Sequence, residues 1–274
     1  MSGTPSRLPA SLTLVGAGKM GGAMLSGWLA GGLDPARTAI VEPAPSPEIA
    51  DLCAARGIAL NPAAPRAAEA VVLAIKPQGL AAAAPALAPL IAPGSLVVSI
   101  LAGKTIADLK ARLPGARAVV RAMPNLPASI GRGATGAAAS PEVTPAQRGL
   151  ADALLSASGL VEWLDDEGLI DAVTAVSGSG PAYVFLLAEA LAEAGVAAGL
   201  PAEIAGRLAR ATVAGSGALL DAEATEAAQL RRNVTSPGGT TAAALDVLMR
   251  ADGMPALLRE AVAAARRRAG ELAG

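Results

Sequence analysis

The sequence predicts an α/β domain built on a doubly wound parallel sheet, followed by an all-α domain. Three observations predict it. Short, continuous apolar runs alternate with Ala/Leu-rich stretches as far as Trp163. The first such run ends in a glycine-rich turn that opens a helix, and beyond Trp163 the strand-type runs stop. Taken in order, strands are expected at Leu12–Val15, Ala39–Val41, Val71–Ala74, Leu96–Ile100, Ala118–Arg121, Ala134–Ala138 and Leu160–Trp163. Helices are expected between the early ones, at about 20–31, 47–56, 80–91 and 105–112. Continuous rather than alternating apolar strands fit a parallel sheet covered on both faces, and right-handed crossovers put helices on each. Asp165-Asp166-Glu167 then reads as an acidic helix start, favoured at the positive end of a helix dipole. Helices follow at about 166–176, 181–198, 202–221, 224–232, 238–250 and 255–272, with Pro201 near the first turn of the third. The expected division is residues 1–164 and 165–274.

Composition narrows the chemistry. With 53% apolar and 16% charged residues over 274 positions, the chain is too hydrophobic to be disordered and long enough for a substantial core. The net charge of −1 offers no basic face to nucleic acid, and only Trp28, Trp163, Tyr183 and Phe185 could stack on bases. Histidine is absent, which excludes a His base, a His metal ligand and a Ser/His/Asp triad. The single Cys53 excludes a thiolate zinc site and an internal disulfide, and sets a reduced, cytoplasmic default. No metal is expected. An uncharged gap between Lys76 and Lys104 has membrane-spanning length, but Pro77, Pro85, Pro89 and Pro93 interrupt it. The apolar stretch after Arg7 is cut short by Lys19, with no clear signal-peptide cleavage site, so no membrane association is expected. The second half carries so many small apolar positions that its helices are expected to pack against another subunit.

The glycine-rich turn is Gly16-Ala17-Gly18-Lys19-Met20-Gly21, the G-x-G-x-x-G pattern placed between a strand and a helix. In this Rossmann-type unit Gly16 permits the tight turn, Gly18 lets the backbone approach a pyrophosphate, and Gly21 lets helix and strand touch. The helix N-terminus adds unpaired N–H groups and positive potential. Glu42, 21 residues beyond Gly21, ends the second strand, where a carboxylate can accept hydrogen bonds from the ribose hydroxyls of NAD and repel a 2′-phosphate. Lys76 and Pro77 follow the strand over 71–74, at the carboxyl edge where open α/β sheets bind ligands. Pro237, Gly238 and Gly239 precede a helix, which leaves a run of free backbone N–H groups able to hold a carboxylate. That matters because all four lysines (Lys19, Lys76, Lys104, Lys110) lie in the first half.

Four further segments resemble the pyrroline-5-carboxylate reductase family. They are Ala74-Ile75-Lys76-Pro77-Gln78, Arg121-Ala122-Met123-Pro124-Asn125, Ser177-Gly178-Ser179-Gly180-Pro181-Ala182-Tyr183 and Asn233-Val234-Thr235-Ser236-Pro237-Gly238-Gly239-Thr240-Thr241. With the glycine motif they run in family order from Leu12 to the final helix. Leu126 departs from the family's usual Thr, Thr225-Glu226 from its His-Pro, and the loop at 61–65 looks shortened. The resemblance implies a Rossmann-type domain plus a helical dimerisation domain, dimers assembling into larger rings up to a decamer, and NAD(P)H as cofactor. Glu42 favours NADH, whereas the family often uses NADPH. It also implies that Gly16, Ala17, Gly18, Lys19, Met20, Glu42, Ala74, Ile75, Lys76 and Pro77 bind the cofactor. Ala102 and Gly103 would face the nicotinamide, and Asn233 would lie close to the cofactor. Ser236, Gly238, Gly239 and Thr240 would hold the substrate carboxylate, while the Thr241 hydroxyl reaches the ring nitrogen as the catalytic group. Arg121 to Asn125 would shape the domain junction, and Ser177 to Tyr183 would form a tight turn. The implied reaction is hydride transfer to the C=N bond of 1-pyrroline-5-carboxylate, giving L-proline. An iminium needs neither a strong base nor a metal, so a histidine-free chain can perform it.

Two other readings share much of this pattern. A reductase of another cyclic imino acid would differ only in pocket volume, and a non-catalytic nicotinamide sensor of the same fold would lack turnover. The 3-hydroxy acid dehydrogenases combine similar domains, but their assisting lysine from the helical half is missing here. Prephenate- and lactate-type dehydrogenases need the histidine that this chain lacks.

Overall fold

The computed structural model describes residues 7–273. Eight strands form one sheet: β1 (Leu12–Val15), β2 (Thr38–Val41), β3 (Ala59–Leu60), β4 (Ala70–Leu73), β5 (Leu96–Ser99), β6 (Ala118–Met123), β7 (Gly133–Ala139) and β8 (Gly159–Leu164). Their spatial order is β3-β2-β1-β4-β5-β6-β7-β8. Interleaved helices are α1 (Lys19–Ala30), α2 (Pro47–Arg56), α3 (Leu80–Leu87), α4 (Ile106–Arg112) and α5 (Pro145–Ser156). All seven expected strands are present. Alternating side chains of the buried strands point to opposite faces, so one continuous apolar run serves two cores. Leu12, Leu14, Val72, Val98 and Val120 join α1, α2 and α5, with Trp28 fully buried and its Nε1 donating to Leu154 O at 2.6 Å. Val15, Val71, Leu73, Val97 and Val119 join α3 and α4 on the other face.

The sheet departs from the all-parallel expectation at one pairing. β7 runs antiparallel to β6, with Val120 opposite Ala139, whereas β7 and β8 are parallel. The cause is the connection: β6 and β7 are joined by a 3₁₀ turn over Leu126–Ile130, too short for the crossover a parallel pair requires. β3 and α5 were not expected. β3 is two residues long, while α5 begins with a capping box in which Thr144 and Gln147 bond each other's backbone N–H groups and Pro145 occupies the first turn. The helix expected over 80–91 gives way to a 3₁₀ turn at Ala88–Leu90, where Pro89 cannot continue the ladder.

After β8 come α6 (Ile170–Val173), a π-helical turn over Thr174–Gly178, then α7 (Gly180–Ala197), α8 (Ala202–Ala222), α9 (Ala227–Asn233), α10 (Thr240–Leu248) and α11 (Met254–Ala273). Ser177 to Gly180 is therefore a π-helical turn running into α7 rather than the tight turn expected. The chain divides into two compact units. The first extends to Gly178 and takes the chain back from Ala265 onward; the second is Ser179–Ala264. Within the second unit α7 and α8 pack closely because the contact residues are small, the Gly195 backbone facing Ala205. One helical run, Glu167–Ala197, is long and apolar enough to cross a membrane by composition, and 11% of its most apolar window is buried.

Candidate dinucleotide and carboxylate sites

In the first unit the sheet reverses direction of growth between β1 and β4, so the carboxyl ends of these two strands flank a switch point. Gly16 turns the chain there with φ +93°, a conformation that L side chains rarely adopt, and its N–H donates to Val41 O at 2.9 Å. A Cβ on Gly16 would lie 2.7 Å from the Ala74 carbonyl and 2.8 Å from Ile75 N. This contact places the loop after β4 beside the glycine turn, bringing Ala74 and Ile75 to Gly16. At Gly18 the opposite holds: nothing lies within 4 Å of where a Cβ would stand. The backbone is open on the side where α1 begins, and no side chain caps that helix. A cleft of about 740 Å³ adjoins it, lined by Ala17, Gly18, Lys19, Glu42, Ser46 and Ile49 among others. An open glycine cradle at an uncapped helix N-terminus fits a dinucleotide pyrophosphate.

Glu42 stands just beyond β2. One carboxylate oxygen accepts from Ala17 N at 2.9 Å and the other from Ala44 N at 3.2 Å, which aims the group over the glycine turn. Its backbone is held by Asn61, whose side-chain oxygen accepts from Glu42 N at 2.9 Å while Nδ2 donates to Glu42 O at 2.8 Å. Asn61 has φ +48°, the one positive value of a non-glycine among the described residues. An asparagine just after a strand could have signalled this, because asparagine tolerates the left-handed region and bonds backbone with its amide. Lys76 is exposed and precedes a 3₁₀ turn begun by Pro77. Ala102 and Gly103 follow β5; Gly103 has φ +68°, and a Cβ there would lie 2.7 Å from Leu272 O in the closing turn of α11.

The motif Arg121 to Asn125 also lies in this unit. Arg121 is buried on β6, with Nη1 3.1 Å from Glu167 Oε1 and Nη2 3.6 Å from Asp171 Oδ1. Glu167 therefore pairs with Arg121, while Asp166 is the residue that caps the turn, accepting from Gly168 N. Asn125 is buried, donates to Ser177 O at 3.0 Å and accepts from Ala134 N at 2.9 Å, tying the π-helical turn to β7.

In the second unit the loop between α9 and α10 brings Asn233 and residues 236–241 into one short stretch. Gly238 takes φ +69°, and Gly239 N donates to Ser236 O at 3.1 Å, so the loop folds on itself ahead of α10. A Cβ on Gly239 would meet the Ser236 hydroxyl, which would have to turn away to admit it. Gly239 provides no capping side chain. The N–H groups of Thr240, Thr241 and Ala242 thus lack intrahelical acceptors and form the positive end of a nine-residue helix. Thr241 is half-buried in this first turn. Asn233 ends α9, and its side-chain oxygen accepts from Gln229 Nε2 at 2.7 Å. Among the described residues no cluster of three or more His, Cys, Asp or Glu could hold a metal.

A switch-point glycine cradle with a carboxylate held over it, carried on a chain with a separate helical unit, has the make-up of a nicotinamide-dinucleotide oxidoreductase. The family models agree on both parts: residues 11–103 match the model described as NADP oxidoreductase coenzyme F420-dependent, and residues 167–272 match pyrroline-5-carboxylate reductase dimerisation. A pyrroline-5-carboxylate reductase of Pseudomonas aeruginosa is 44% identical over 264 residues, covering 96% of this chain and 96% of that protein. The structure of a pyrroline-5-carboxylate reductase from Coxiella burnetii superposes with TM-score 0.88 at 36% identity, covering 96% of this chain and 98% of that one. The Plasmodium falciparum pyrroline carboxylate reductase, solved with NADP bound, matches with TM-score 0.80 at 25% identity over 98% and 100% of the two chains. The chain belongs to the pyrroline-5-carboxylate reductase family.

Proposed function

We infer that this protein reduces the C=N bond of 1-pyrroline-5-carboxylate to L-proline, the last step of proline biosynthesis. The observation that carries the reading is end-to-end similarity to a reductase of that name, at 44% identity over 96% of both chains. Bound NAD(P)H supplies the hydride. The residues of this chain then bind, orient and manage a proton. Gly16 to Met20 and the N-terminus of α1 hold the pyrophosphate, and Glu42 holds the adenosine ribose. Ala74 to Pro77 line the cofactor beside the glycine turn, with Lys76 near the ribose or phosphate; Ala102 and Gly103 face the nicotinamide, and Asn233 lies close to the cofactor. Ser236, Gly238, Gly239 and Thr240 form the loop for the substrate carboxylate: the Ser236 hydroxyl and the Thr240 N–H are offered to it, while the Gly239 N–H, turned to Ser236 O, fixes the loop. The Thr241 hydroxyl, or a water it positions, manages the nitrogen proton. Residues 1–164 act as the cofactor domain and 165–274 as the substrate and dimerisation domain. The working molecule is a soluble cytoplasmic homo-oligomer, a dimer assembling into rings up to a decamer.

The test is absorbance at the NADH band on adding pyrroline-5-carboxylate. The wild type should consume NADH or NADPH, and Thr241→Ala should lower kcat by about 10²-fold, the usual range for a positioned proton donor. No decline with either cofactor would leave a nicotinamide sensor, and a faster decline with a six-membered cyclic imine would reassign the substrate.

A further inference from the structure

The charges of this sparsely charged chain include one that is placed inside the protein. The Arg121 side chain is only 5% exposed, and a buried guanidinium is tolerated where partners compensate it. Its partner Glu167 has a second bond: the oxygen that takes Arg121 Nη1 at 3.1 Å also accepts from Ile106 N at 2.8 Å. Ile106 N is the first orphan donor of α4 and directly follows the loop at 101–105. That loop is pressed from another side as well, because Gly103 leaves no room for a Cβ against the carbonyl of Leu272. Asp171, the second partner of Arg121, adds a compensating negative charge 3.6 Å from Nη2.

We propose that Arg121 and Glu167 are positioning residues for hydride transfer, fixing through the Ile106 N–H the loop that presents Ala102 and Gly103 to the nicotinamide. This rests on the cofactor reading above. The adenosine end of the cofactor is held elsewhere, by the glycine turn and Glu42, so the cluster acts on the geometry of transfer more than on dinucleotide affinity. A displacement of about 1 Å at a reacting centre can cost about 10²-fold in rate.

The test compares Glu167→Ala, which removes acceptor and charge, with Glu167→Gln, which keeps an oxygen for Ile106 N. Three readouts are taken on the full-length protein: single-turnover hydride transfer with NADH, NADH affinity by fluorescence, and amide hydrogen exchange. Glu167→Ala should slow transfer by about tenfold or more while NADH affinity moves less than about threefold, with exchange accelerated at 101–106 and the protection of β1 and β4 retained. Glu167→Gln should recover most of the rate and the protection. Unchanged transfer and unchanged exchange at 101–106 in Glu167→Ala would overturn the proposal. So would parallel loss of rate, affinity and global protection in both variants, since that is the signature of a plain fold support. A wild type with no turnover on pyrroline-5-carboxylate would retire the reaction instead, and exchange at 101–106 would still decide the positioning claim.

Discussion

Glu42 meets two backbone N–H groups, of Ala17 and Ala44, and this engagement holds its carboxylate over the glycine turn without neutralising it. A ribose can share such a carboxylate, because each oxygen has a second lone pair, whereas a 2′-phosphate would face an uncompensated negative charge. The cofactor preference is therefore expected to reside here. Glu42→Ala should lower kcat/KM for NADH by about tenfold, the scale of a lost hydrogen bond to a charged group, and leave or raise the value for NADPH. Steady-state kinetics with both cofactors check it; a wild type equally fast or faster with NADPH would refute the preference. At this scale the legible residues are those under a hard steric demand. Gly16 and Gly21 were readable because backbone meets backbone there, and Glu42 because the motif fixes its distance. Asn61 offered one weak signal, its tolerance of the left-handed region, but its partner Glu42 stayed hidden, since the pairing depends on β3 lying beside β2 and a two-residue strand leaves no periodicity in the sequence.

Elements were legible where one signal dominated. The buried strands read as continuous apolar runs because helices cover both faces. α5 carried both signals, the capping box of Thr144-Pro145-Ala146-Gln147 and an apolar face of Leu150, Ala151, Leu154 and Leu155 at helical spacing, so it was legible in the sequence although it was not among the expected helices. The direction of β7 was hidden: the sequence shows that a strand exists, whereas its direction is set by the length and shape of the preceding connection. Elements are also joined by charge in ways that pH exposes. Lys110 of α4 bonds Glu142, just after β7, at 2.6 Å, and this contact, helped by Ser140, takes the Glu142 carboxyl from its ordinary 4.5 to about 2. Glu69 is shifted in the same direction, chiefly by its hydrogen bond from Arg7. A carboxyl lowered in the folded state stabilises it fully above the unfolded value, and that contribution disappears as pH falls through the folded value. The Lys110→Met variant should thus lose the Lys110 share of the Glu142 acid dependence between about pH 4.5 and 2, while the part due to Ser140 and the backbone remains. Denaturant unfolding across that range, in low and high salt, checks it. The effect should shrink with salt because both side chains reach solvent.

At the scale of the whole molecule the question is what covers the second unit. α7 buries none of its residues within the chain, and Val184, Phe185 and Leu186 are 46%, 59% and 62% exposed. Leu208 and Leu220 of α8 and Leu257 of α11 are similarly open. Apolar helix surface on this scale marks an interface with protein or with lipid. Glu189 and Glu193 sit within α7 itself, and a carboxylate in hydrocarbon costs about 2.5–3.5 kcal/mol even on the most lenient scale, so lipid is the poorer cover. The family model over 167–272 is described as dimerisation, which matches protein as the cover. The sequence pointed the same way by its small residues, since alanine and glycine let helices approach closely, but it could not say which face stays open. That depends on how α7 and α8 pair, and an all-round apolar helix has no face to read. Light scattering on detergent-free protein should give a mass of several times the 26.7 kDa chain, with ten copies if the rings close fully. Phe185→Asp should then shift the mass down toward the single chain, because a charge buried in that interface has no partner. A wild type that runs as one chain at working concentration would remove the interface, and a Phe185→Asp protein of undiminished mass would move it to another face of the helical unit.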